Sequence, residues 1–397
     1  MEYPKVYLTL DNCFAIKRWV EPSEWMPLIR DIGFTSAQAS FDNEIDFLYS
    51  PEWYKSGWFQ EVSRQEKETG LRVDTFFTGY QTYRTAGLAH PDDKMADYLM
   101  DWWIKPALNQ LGRRGSHMGM SFIAVPERFL QDAVKFQRMY EKVIHRMGKI
   151  GACASKSGIH FCMEAMYAPH QPPWTIEGAK RFLRDCYAEG GHPVYLTIDV
   201  GHMVGQCKYR KPDREAVEHS LNPGSQILGR PKIWLGAEHT YKLWRKAVEE
   251  DDHSREAVEA ILEDMEAYPH LFSTDPGDSD PYRWIGELAC YSPIIHMQQT
   301  DGITSSHQPF TKEENEKGII QGEEVLRAIA HSYEQEQEPQ MPPKCQEIYL
   351  AFEIFAGNTE YREEIIEKLK ETLNYWRRFV PEDGIRLDVL LKKLQDE

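Results

Sequence analysis

Eight short segments that read as buried strands, most of them followed by a stretch long enough for an amphipathic helix, leave this chain few folds to choose from. They are 5–10, 35–40, 71–78, 117–125, 158–166, 194–200, 293–299 and 347–355. The helical stretches include 22–32, 92–111, 131–150, 176–189, 322–332 and 360–378. Gly33, Gly70, Gly151 and Gly190 stand where such helices should stop, because the residue past the last turn often takes a left-handed backbone. Strands alternating with helices make βα units and a parallel sheet. Eight units predict an α/β fold of the (β/α)8 type, a TIM barrel. The main rival is a doubly wound open sheet. It wants a glycine fingerprint after the first strand, and Leu10-Asp11-Asn12-Cys13-Phe14 has none.

One spacing breaks the rhythm. Strand starts fall roughly 30 to 55 residues apart, yet the sixth and seventh are at 194 and 293. We therefore read residues 1–397 as one barrel domain with a helical insertion at about 205–275, serving as a lid or as a subunit contact. Trp53-Tyr54 and Trp102-Trp103 also suit contacts within a homo-oligomer, although the second pair suits a helix facing the barrel equally well.

The last four strands end in polar groups. Phe161, Met163 and Ala165 alternate with His160, Cys162 and Glu164; Leu196, Ile198 and Val200 alternate with Tyr195, Thr197 and Asp199. Ile295 and Met297 alternate with Ile294, His296 and Gln298, and Ile348, Leu350, Phe352 and Ile354 with Tyr349, Ala351 and Glu353. Successive side chains of a strand face opposite ways. One face can pack on outer helices while the other aims Glu164, Asp199, His296 or Gln298, and Glu353 at the barrel mouth. Buried carboxylates so close repel one another unless a cation neutralises them. Carboxylates with one nitrogen or amide oxygen suit a divalent ion, Mn2+ first, with Mg2+ or Co2+ as alternatives.

Charge and cysteine usage narrow the class further. The chain carries 46 Lys+Arg against 63 Asp+Glu, a formal charge of −17, which repels polyanions and argues against nucleic acid and anionic membranes as partners. No segment approaches a membrane span, and Met1-Glu2-Tyr3-Pro4 is no signal peptide. Seven scattered cysteines without a CxxC pair argue against a disulfide framework and a thiolate zinc site. The expected location is the cytoplasm.

Met163-Glu164-Ala165, Asp199-Val200-Gly201-His202 and Glu353 resemble the xylose isomerase-like superfamily of sugar isomerases, ketose 3-epimerases and endonuclease IV-like proteins. The resemblance covers about 1–200 and 290–380. It implies that Asp199 binds metal and His202 contacts substrate, and that Glu164 and Glu353 bind metal and act as acid and base. The ketose 3-epimerases carry a metal-binding His three residues before an acidic residue on the seventh strand. Here Gln298-Gln299-Thr300-Asp301 has that spacing, with His296 two residues earlier. We take Gln298 as the ligand, leaving His296 as the alternative ligand, or as a residue behind the metal or on substrate. Thr9 to Trp19 and Gln298 to Gly302 are similar to sugar-phosphate isomerases and epimerases. That similarity makes Lys17, Arg18 and Arg84 candidate phosphate contacts, together with Gly357-Asn358-Thr359 at a helix start; Asp301 is a substrate-binding candidate. His90, His117, His170 and His307 are further polar residues in expected βα loops.

The function so implied is a metal-dependent isomerase or epimerase acting on a ketose or ketose phosphate through an ene-diolate. An aldose–ketose isomerase and a non-catalytic sugar-binding barrel are the alternatives. The expected partner is a small sugar or sugar phosphate.

Overall fold

The computed structural model describes residues 2–47 and 49–396. Eight parallel strands close into a barrel: β1 (Lys5–Asp11), β2 (Ser36–Ser40), β3 (Arg72–Thr78), β4 (His117–Met120), β5 (Phe161–Ala165), β6 (Tyr195–Asp199), β7 (Ile294–Met297) and β8 (Glu347–Phe352). Each pairs with its neighbours in chain order, and β8 returns to β1 through Lys5↔Glu347 to Leu10↔Phe352. The expected (β/α)8 architecture is therefore the observed one. Val6, Leu8 and Leu10, Ile295 and Met297, and Ile348, Leu350 and Phe352 are wholly buried, as the alternation requires.

Helix ends follow the glycine signals at two of the four positions. Pro22–Ile32 stops at Gly33 (φ 118°) and Glu52–Thr69 at Gly70 (φ 72°). Gly151 instead lies inside Ala133–Lys156, and Ile176–Gly190 is capped by Gly191 (φ 63°). The reason is packing: a Cβ on Gly190 would sit 2.7 Å from the Cα and carbonyl oxygen of Gly148. These two helices touch backbone to backbone, which only residues without a side chain permit. The expected helix 92–111 is also interrupted. Met100–Ile104 forms a π turn between Asp93–Leu99 and Lys105–Gly112. Pro106 has no N–H to give to the carbonyl one turn back, so the ladder shifts register just before it. Trp102 is left 68% exposed and Trp103 is buried.

The lower barrel is filled by rings. Tyr7 stacks on Tyr349 (centroids 4.9 Å), His117 on His160 (4.6 Å), and His160 meets Tyr195 (4.5 Å). His117, expected in a loop, thus begins β4 at the floor, the end opposite the site described below. Between β6 and β7 lie helices Arg214–Ser220, Glu238–Glu249 and Arg255–Glu266, gathered on the buried Trp244, whose indole donates to Ser220 Oγ (2.9 Å). This insertion leans on the segment after β4: Glu238 N donates to Gln131 Oε1 (2.7 Å), and His270 stacks on Phe136 (4.2 Å). Among the described residues, helix Pro281–Leu288 then leads into β7.

Candidate functional site

At the C-terminal ends of the strands, Glu164 from β5, Asp199 from β6, His296 from β7 and Glu353 just past β8 each offer a ligand atom, all within 4.8 Å of one another. Period-two alternation brings them together: each points inward near its strand's end, with Asp199 opposite His296 and with Asp199 and Glu353 two residues beyond the partners of Glu164 and His296. His296 Nδ1 lies 3.2 Å from Glu164 Oε1 and 3.4 Å from Glu353 Oε2. The Gln38 amide nitrogen of β2 lies 2.9 Å from His296 Nε2 and donates to Asp11 at the end of β1, and Gln38 Oε1 accepts from Thr75 Oγ1 (3.2 Å). The imidazole plane is therefore held from behind, and Phe77 meets its ring edge-on at 4.4 Å.

Protein groups alone leave this cluster unbalanced. Burial drives the Glu164 carboxyl above its usual range, against the pull of His202 and His296. Burial also acts on Glu353, but His296, His307 and His202 outweigh it and hold that carboxyl well below its ordinary value. His296 is itself raised: burial opposes its charge, but Glu353 and Glu164 win. Asp11 is pushed up to about 6 by burial and by Glu353. His296 Nδ1 and His202 Nδ1 are buried without a hydrogen bond of good geometry. Three carboxylates and unpartnered imidazole nitrogens converging on one point fit a divalent cation of the oxygen-preferring kind.

Gln298 reaches the cluster at Asp199. Its amide donates to Asp199 Oδ1 (2.7 Å) and Oδ2 (3.0 Å), while its Oε1 accepts from the backbone N–H of His307. Gln298 thus orients Asp199 and ties down the loop after β7, while His296 stands between Glu164 and Glu353. The motif Asp199-Val200-Gly201-His202 is built around this contact. Asp199 Oδ1 accepts from the N–H groups of Gly201 (2.7 Å) and His202 (3.2 Å), and a Cβ on Gly201 would lie 2.3 Å from Gln298 Cδ. His202 then approaches both Asp199 Oδ2 (3.6 Å) and Glu164 Oε1 (3.8 Å).

Above the cluster opens a cavity of about 290 Å³, lined by Phe77, Tyr80, Tyr83, Tyr167, Phe355 and the site residues Glu164, His202, His307 and Glu353 among others. Among the described residues, none of 205–275 lines it. His307, one loop histidine among several in the sequence, belongs to this site: its Nδ1 is 3.5 Å from Glu353 Oε2. Its left-handed backbone (φ 48°) is unusual for a residue with a side chain. Lys17, Arg18 and Asp301 are not brought to the cluster. Lys17 is exposed on a left-handed turn (φ 64°), and Arg18 donates to the carbonyl of Gly357 (2.6 Å). The exposed Asp301 caps its own turn by accepting from Ile303 N and Thr304 N. His170 pairs with Glu127 (3.4 Å), and His90 accepts from Asp92 N (3.0 Å), so neither reaches the cavity. Sequence reasoning missed Asp11 and Gln38. Their signal was the one used on the later strands, a polar residue on the inward side near a strand's end.

Comparison with known proteins agrees with this architecture. A family model described as xylose isomerase-like TIM barrel matches residues 26–233. The D-erythrulose 1-phosphate 3-epimerase of Brucella abortus is 22% identical over 375 residues, covering 93% of this chain and 94% of that protein. A Rhodospirillum rubrum structure provisionally named a xylose isomerase superposes with a TM-score of 0.66 at 15% identity, covering 94% of this chain and 99% of that one. The D-psicose 3-epimerase of Clostridium cellulolyticum H10, solved with D-tagatose, gives 0.54 at 11% identity, covering 94% and 98%.

Proposed function

Because the chain belongs to the xylose isomerase-like TIM barrel family, we propose that it is a metal-dependent epimerase of a ketose or ketose phosphate. The observation that carries this reading is the convergence of Glu164, Asp199, His296 and Glu353 under a cavity of about 290 Å³. These four residues would hold the cation, Mn2+ or else Mg2+ or Co2+, with Gln298 fixing Asp199. When bound, the ion supplies Lewis acidity, making a carbon-bound proton beside a carbonyl more acidic.

The remaining chemistry belongs to the chain. An epimerisation needs one group to remove a proton and another to return it on the opposite face. Glu164 and Glu353 reach the cavity from β5 and from the end of β8, on either side of His296. One of this pair would take the proton and the other return it to the opposite face. His202 donates to a substrate oxygen. The aromatic walls exclude water and so limit loss of the migrating proton. The D-erythrulose 1-phosphate 3-epimerase relative supports epimerisation over aldose–ketose exchange. The exposed Trp53 (77%) and Trp102 support a homo-oligomer, which light scattering tests.

The experiment is turnover of a panel of tetruloses, pentuloses and their phosphates in D2O, with metal content measured in parallel. Deuterium at the inverted carbon is expected, together with loss of turnover in Glu164→Gln and Glu353→Gln. Deuterium at the carbon next to a newly formed aldehyde would make the chain an isomerase. Full activity in both variants would refute the acid–base pair.

A further inference from the structure

The cavity has opposite requirements at its two ends. Its floor is a ring of carboxylates, which repels any anionic part of a substrate. Among the described residues lining the cavity there is no lysine or arginine, and both lining histidines lie within 4 Å of carboxylates. An anionic group must therefore sit at the mouth and find its cation there. Arg18 is committed to the Gly357 carbonyl, and Lys17 is exposed on its own turn.

Arg84 meets that requirement. It ends the short turn Thr82–Arg84 after β3, immediately after Tyr83, which lines the cavity. Its Nε donates to Tyr83 Oη, and its guanidinium lies 4.9 Å from the centre of the Tyr83 ring. No carboxylate among the described residues comes within ion-pair distance of it, in a chain where acidic residues outnumber basic ones by 63 to 46. Tyr167, which also lines the cavity, feels the same charge: burial raises its phenol, and Arg84 pulls it the other way. The backbone beneath is fixed from three directions. Thr82 Oγ1 donates to the Ser121 carbonyl, Gln171 Nε2 donates to the Tyr83 carbonyl (2.9 Å), and Asp42 accepts from Gly79 N (2.7 Å) and Tyr80 N (2.9 Å). A guanidinium on an anchored turn, lying over one tyrosine, presents a planar fork to an oxyanion with less entropy left to lose.

We propose that Arg84, with the hydroxyls of Tyr83 and Tyr167, binds a phosphate at the far end of the substrate, which makes the substrate a short phosphorylated ketose. This rests on the epimerase reading for the sugar end and on the charge layout of the mouth for the phosphate end. The cavity, about 290 Å³, is of a size for a monosaccharide phosphate rather than an oligosaccharide. The phosphate stays outside the carboxylate ring while the carbonyl end reaches it.

The test uses full-length protein and the variants Arg84→Ala and Arg84→Lys, each shown to melt like the parent. Ketotetroses and ketopentoses are compared with their phosphate monoesters, and inorganic phosphate is the anion probe. The parent should prefer the monoester. In Arg84→Ala the ratio of kcat/KM for monoester over free sugar should fall at least 30-fold, mainly through KM, with partial retention in Arg84→Lys. Competitive inhibition by inorganic phosphate should weaken at least 10-fold. A ratio that does not move, or a parent that prefers the free sugar, overturns the proposal while leaving the epimerase intact. Phosphate binding seen by calorimetry and lost in Arg84→Ala, without turnover of any sugar, supports the anion site and sinks the epimerase reading instead.

Discussion

Glu44 allows a pH prediction whose size can be worked from the structure. It sits in the short helix Phe41–Glu44 after β2, accepting from Asn12 Nδ2 (3.0 Å) and from the Trp58 indole. Asn12, at the end of β1, in turn accepts from Ser40 N (2.8 Å), so this carboxyl joins the first two loops of the barrel mouth. Burial is the main reason that its proton affinity is pushed up to about 8 from an ordinary 4.5, with Glu21 and Glu24 adding to it against the pull of the Trp58 indole. Between those values the folded state holds a proton that the unfolded chain has released, so stability must fall as pH rises through the window. At about 1.4 kcal/mol per pH unit the ceiling is about 5 kcal/mol, and local relaxation reduces the expected loss to about 2–4 kcal/mol. Glu44→Gln removes the titration and gives up one acceptor, a pH-independent offset of about 1 kcal/mol. Urea unfolding of both proteins at pH 5, 6.5 and 8.5 isolates the effect, because other titrating groups cancel in the difference. The variant should gain about 2–4 kcal/mol on the parent between the lowest and highest pH. A constant difference, or a gain toward acid, would refute the reasoning.

Three other outcomes follow from the geometry. Removing divalent ions with a chelator should lower stability toward urea, and Mn2+ at about 100 times its Kd should restore about 2.7 kcal/mol; Glu164→Gln should blunt that response. Gln298→Ala should cost about 10- to 100-fold in Mn2+ affinity by calorimetry, since the group that orients a ligand carboxylate is lost while the ligands stay. Gly190→Ala should destabilise by about 1–3 kcal/mol in the same urea assay, because its Cβ would press on the Gly148 backbone.

The candidate residues that sequence singles out and the structure brings together are those set by a strand's own alternation. Glu164, Asp199 and Glu353 stand out because each ends a run whose other face is apolar. The choice between His296 and Gln298 could not be made that way. Both face inward on the same strand, and what separates them is one step of depth against residues from other strands. His307 was legible only as one loop histidine among several, because its place depends on the hydrogen bond from its N–H to Gln298. Gly151 looked like a helix stop because local signals do not register that the segment 192–194 before β6 packs against its backbone, leaving little room for a Cβ.

Periodicity, glycine placement and the count of βα units were enough to specify a closed parallel barrel and the rim where polar strand ends meet. Those properties arise within a few residues of chain, where the backbone's repeat and side-chain size are the whole cause. Which imidazole faces the carboxylates, which amide steadies Asp199, and which arginine is left without a carboxylate at the mouth were decided only when distant segments packed. Electrostatic balance and free volume at a point depend on every group around it, and the chain's order does not say which groups those will be.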